Sequence, residues 1–104
     1  MKLTHTVQVQ VRRRRNTAHG LAVENVGGPV DLRCRFRRVS SGQLSSTGAV
    51  VLYSAYLLTT EPWPGGVVDE VSQVLYDGLK YDMVGVPVQF DGSPRTAHIR
   101  VDLK

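Results

Sequence analysis

Apolar and polar residues alternate along most of the chain with a period of two, the signature of strands that bury one face. From Leu3 to Val11 the alternation is strict: Leu3, His5, Val7, Val9 and Val11 fall on one side, Thr4, Thr6, Gln8 and Gln10 on the other. Val30, Leu32, Cys34 and Phe36 then alternate with Asp31, Arg33, Arg35 and Arg37, which predicts a second strand with an apolar face and an arginine face. Ala49 to Thr60 is apolar at most positions. Its spacing would also fit one helical face, but Val50, Val51, Tyr53, Tyr56, Thr59 and Thr60 are strand formers. The segment reads as a strand buried on both sides or covered by a neighbouring subunit. The sharpest local signal is Asp77-Gly78 between Glu70–Tyr76 and Leu79–Val84, the pair favoured in a two-residue type I′ hairpin turn. That register sets Tyr76 against Leu79, Val74 against Tyr81 and Ser72 against Met83. It gathers Val74, Tyr76, Leu79, Tyr81 and Met83 on one apolar face. Ala97, Ile99, Val101 and Leu103 alternate with His98, Arg100, Asp102 and Lys104 in a last strand.

Between these runs the residue types change. Arg12 to Gly20 reads as a polar connection, with Asn16 and Gly20 as breakers, and Gly27-Gly28-Pro29 as a second break. Ser40 to Gly48 is Ser, Gly, Thr and Gln around one leucine, the composition of a flexible linker. Pro62-Trp63-Pro64-Gly65-Gly66 must be a loop, because proline cannot donate to a ladder. The expectation is one all-β domain over 1–104, a small antiparallel barrel or sandwich of about six strands. Long flexible loops are expected near 12–20, 40–48 and 61–67.

Length confines the chain to a single domain, with no room for a separate cofactor-binding unit. No apolar run approaches the roughly 18 residues of a membrane span. Met1-Lys2-Leu3-Thr4-His5 has no signal-peptide core, so synthesis inside the cell is expected. One cysteine, Cys34, excludes an internal disulfide and a multi-cysteine zinc site. The net charge of +4 matters through its distribution. Arg12, Arg13, Arg14, Arg15, Arg33, Arg35, Arg37 and Arg38 precede position 40, whereas most carboxylates follow position 60. Such a split suits a dipolar subunit that meets a polyanion or an acidic partner on one side. Arg12–Arg15 is a candidate phosphate or partner contact, with a solvated hairpin end as the plainer reading. Arg33, Arg35 and Arg37 project from one strand face and form a second candidate, without interleaved aromatics. Trp63, stiffened by flanking prolines, is a candidate interface anchor, or else folds back over the barrel end.

No catalytic constellation emerges. His5 lies on an inward face, His19 in a basic loop and His98 on the outer face of the last strand, without metal-ligand spacing. Cys34 reads as a small buried hydrophobe rather than a nucleophile. Asp69 and Glu70 would point to opposite strand faces and cannot act as a pair. The glycine pairs lack the context of a phosphate loop. No enzymatic activity, metal or cofactor is expected.

The run Val74 to Pro87, followed by Ser93-Pro94-Arg95-Thr96-Ala97-His98 and a strand to Leu103, resembles the closing hairpin and last strand of head-to-tail stopper (head-closure) proteins of long-tailed bacteriophages. The resemblance spans about the last third of the chain. It implies a virion neck component made in the bacterial cytoplasm: a homo-oligomeric ring, hexameric or alternatively dodecameric, with no membrane partner. Such a ring sits below the portal and adaptor, closes the channel on packaged double-stranded DNA and presents a platform to tail terminator or tail-tube proteins. In this reading Ser40, Ser41, Gly42, Gln43, Leu44, Ser45 and Ser46 form the candidate gating loop, with a surface connection as the plainer alternative. The other functions left open are a tail-side structural subunit and a small basic nucleic-acid-binding barrel.

Overall fold

A computed structural model gives the fold. It describes residues 2–46, 49–93 and 95–104, and for 40–46 and 49–53 the backbone alone. The described residues contain no helix. Nine strands follow one another among them: β1 (His5–Gln10), β2 (Arg12–Thr17), β3 (Gly20–Asn25), β4 (Val30–Ser46), β5 (Ala49–Thr59), β6 (Gln73–Tyr76), β7 (Leu79–Asp82), β8 (Val88–Phe90) and β9 (His98–Leu103). Seven form one antiparallel sheet in the order β7-β6-β1-β4-β5-β9-β8, and β2 pairs only with β3.

The large sheet curls until its ends meet. Asp82 and Lys104 exchange two main-chain hydrogen bonds of 2.9 Å, and the Val84 N–H donates to the Asp102 carbonyl at 2.8 Å. Residues 79–90 thus leave β6 and cross to β9, first at Met83 opposite Leu103, then as β8. The result is a small barrel-like, all-β fold.

Alternation dictates what lies inside. Val7, Val9 and Val11 from the first run, Leu32, Cys34 and Phe36 from β4, Ala55 and Leu57 from β5, and Val101 and Leu103 from β9 form one core with Val74, Tyr81 and Met83. Thr59, Asp69 and Ser72 are buried polar residues, and the Thr59 hydroxyl donates to the Arg33 carbonyl at 2.8 Å. The turn at Asp77-Gly78 has both φ angles positive, 54° and 76°, as a type I′ turn requires. Tyr76 pairs with Leu79 and Val74 with Tyr81, as read from the sequence.

Several expectations need correction. Residues 12–20 are not a polar connection: β2 and β3 pair in full register from Arg12–Asn25 to Thr17–Gly20. The hairpin was invisible to a search for a buried face because it has none; residues 13–31 are exposed throughout. Ser40–Ser46 is not a loop either. It continues β4, paired with β5 from Gly42–Tyr53 to Ser46–Ala49 after an irregularity between Arg38 and Gly42. The strand formers of β5 supply a ladder that residues of neutral propensity can join. The side chains of the candidate gating segment, and Thr47 and Gly48, lie outside the described residues. In Ser54–Thr59, the part of β5 whose side chains are described, Ala55, Leu57 and Thr59 are inside while Tyr56 and Leu58 are half-buried, so this chain alone fully buries one face there. Ser72 does not pair with Met83, because β6 begins only at Gln73 and Met83 bridges to Leu103.

Candidate functional site

Sheet register places the arginine stripe in a wider surface. Arg35 pairs with Leu58, Leu58 with Arg100 and Arg100 with Val88. Paired residues share a face, so these four form one row across the outside of β4, β5, β9 and β8. A second row runs Arg37, Tyr56, Asp102. At the far end of β9, His98 pairs with Phe90, and their rings stack with centroids 4.9 Å apart and planes 17° from parallel. The Arg100 guanidinium lies 4.3 Å over the Tyr56 ring and donates to the Asp102 carboxylate at 2.9 Å. One aromatic ring, Tyr56, therefore lies beside the stripe, and the His98 and Phe90 rings lie two and three strands from it on the same face. The sequence alone hid them because they come from β5, β8 and β9; their outward register positions were the available signal.

The two arginine groups differ in their neighbours. In β2, Arg14 pairs with Glu70 and Arg15 with Glu24, so half of the Arg12–Arg15 run is neutralised within the chain. Arg33, Arg35 and Arg37 are exposed and have no ion pair among the described residues. The Glu61 carboxylate accepts the Arg33 main-chain N–H at 2.8 Å. Arg38 points elsewhere. Its guanidinium donates to the Tyr81 hydroxyl and to Asp77, tying β4 to the type I′ turn.

Trp63 is not an exposed anchor. It is 5% exposed and belongs to the core, and its indole N–H donates to Asp69 Oδ2 at 2.8 Å. Asp69 Oδ1 accepts the main-chain N–H groups of Val71 and Ser72. Burial pushes this carboxyl up, but hydrogen bonds from the Ser72 hydroxyl, the Trp63 indole and the two amides outweigh it and hold the pKa below the ordinary aspartate value. Glu70 lies outside on Arg14, so the two carboxylates diverge, from a loop rather than a strand. Gly65 has no room for a side chain, since a Cβ would sit 1.9 Å from Asp69 Oδ2.

Two of the three histidines have structural partners. His5 Nδ1 accepts the Phe36 N–H, His19 lies in the β2–β3 turn, and the Thr96 carbonyl accepts from His98 Nδ1. Cys34 is fully buried, and burial, then the charge of Glu61, push its thiol up to about 11. A depression of about 380 Å³ opens between loop 61–67 and the end of β9, walled by Glu61, Trp63, Asp91 and His98. Its carboxylates are engaged, Glu61 by Arg33 and Asp91 by Gln89. Among the described residues no three His, Cys, Asp or Glu side chains are grouped to hold a metal ion. No family model and no curated protein matches the sequence.

Proposed function

We propose that this chain is a non-enzymatic structural subunit of a phage neck, a stopper whose ring closes the DNA channel below the portal and adaptor and receives the tail. The observation that carries the reading is the arrangement of the last third: the β6–β7 hairpin runs through Gly85-Val86-Pro87 into β8, and β9 returns to close the barrel on Asp82–Val84. This is the hairpin and last strand on which the resemblance rests. Two further features support it. The β2–β3 hairpin projects without a buried face and presents Leu21 at 73% exposure, and loop residues Val67 and Val68 are 64% and 82% exposed. Apolar residues left open in this number suit a subunit completed by neighbours. The unpaired arginines of β4 suit a particle filled with polyanion.

The test is electron microscopy of particles from a phage carrying an early stop codon in this gene. Finished tails lying separately beside heads that have lost their DNA are the expected result. Filled heads without finished tails would move the subunit to the tail side, and normal virions would overturn the structural role.

A further inference from the structure

We propose that the outer face of β4, β5, β9 and β8 binds single-stranded nucleic acid, with the backbone along Arg33, Arg35 and Arg37 and bases on Tyr56 and on the Phe90–His98 stack. Alternate residues of a strand lie about 6.7 Å apart, so the three guanidinium groups form one straight row about 13 Å long. An extended polynucleotide repeats its phosphates on a similar scale, and the row is free of ion pairs among the described residues. Three carboxylates lie at this face, Asp31, Asp102 and Glu61, against the four cations Arg33, Arg35, Arg37 and Arg100. Asp102 is held by Arg100 and Glu61 by the Arg33 main chain, which leaves the surface positive.

The rings decide which form of nucleic acid fits. Tyr56 stands one strand from Arg37, about 4.8 Å across the sheet, and the Arg100 guanidinium lies over one side of its ring. Phe90 is 44% exposed, with His98 stacked on it. Flat side chains beside a cationic row are what single-strand surfaces use, because unpaired bases can stack on them. A duplex buries its base faces and would leave these rings idle. Leu58 and Val88 fill the positions between with apolar surface. The inference does not rest on the neck assignment, which the microscopy decides separately.

The experiment is fluorescence anisotropy of the full chain against a labelled oligothymidylate of about 20 nucleotides, at salt concentrations of about 50 and 200 mM. Three phosphate contacts predict a slope of log affinity on log salt of about −2, and the Arg35→Ser/Arg37→Ser variant should lose about 1.4 of it. Phe90→Leu and Tyr56→Leu should each weaken binding about fivefold or more with the slope unchanged. Phe90 is exposed enough for its variant to fold whatever the fate of the half-buried Tyr56. Arg13→Ser, in the hairpin, should bind as the parent does. A flat titration would overturn the inference and turn the stripe over to an acidic protein surface. It would equally fall if the ring variants bound unchanged, or if an unlabelled duplex of equal length competed as well as the single strand.

Discussion

Asp69 shows how one buried carboxylate can fix a loop that sequence pattern leaves open. Its two oxygens take the Trp63 indole and the amides of Val71 and Ser72, and Gly65 is bare because that carboxylate occupies the space. In Asp69→Asn the amide must aim an N–H at one of these donors, which should cost about 1–3 kcal/mol in urea unfolding. Gly65→Ala displaces the same carboxylate. The double variant should therefore cost little more than either single one, and a double-mutant cycle measures the shortfall. The pH dependence follows from the depressed folded-state pKa. The ionised form stabilises the fold fully above the unfolded value of about 3.9, and this share is lost as pH falls through the lower folded value. Melting curves below about pH 4 should flatten in Asp69→Asn. At Cys34 the direction is opposite: a thiol raised to about 11 and fully buried is protonated at pH 8. A maleimide dye should label it only once denaturant unfolds the chain.

Elements were legible where their cause is local. The β6–β7 hairpin needs only Asp77-Gly78 and the alternation around it, and β1 and the first half of β4 need only their own apolar faces. Trp63 was ambiguous because its partner, Asp69, is chosen by loop geometry rather than by periodicity. The β2–β3 hairpin could not be read, since pairing without burial leaves no hydrophobic pattern, and three-residue β8 is too short to show one. The same reasoning predicts that the hairpin is dispensable to the barrel. Arg12 pairs with Asn25, and below that pair the Val26 N–H reaches the Val11 carbonyl at 2.8 Å while the Arg12 N–H reaches Ser72 Oγ at 3.1 Å. Replacing residues 14–23 by Asn-Gly keeps those contacts and the Arg13–Glu24 pair and supplies a type I′ turn. The exposed Arg14–Glu70 and Arg15–Glu24 pairs that are lost contribute little. Thermal melting should shift by less than about 4 °C, whereas a hairpin that had anchored the core would take the fold with it.

At the scale of the whole molecule, stability depends on a closure that joins residues far apart in the chain. β1 lies between β4 and β6, and β9 lies between β5 and the crossing segment 83–90. No local pattern specifies these neighbours; the all-β class was legible, but the order of strands was not. Leu103 stands where the ends meet, fully buried, paired with Ala55 on one side and Met83 on the other. Leu103→Ala opens a cavity against both edges of the sheet and should cost about 2–5 kcal/mol. Typical domains hold only about 5–15 kcal/mol in total, so the variant should lose a large part of its urea midpoint. Leu79, in the hairpin that supplies one of those edges, is 51% exposed, and Leu79→Ala should stay within about 0.5 kcal/mol. The same chemical change thus separates closure from mere apolarity. If both variants unfolded at the same urea concentration, the meeting of β9 with residues 82–84 would not be what holds the barrel shut. If only Leu103→Ala shifts, the last strand is the element whose docking completes the fold.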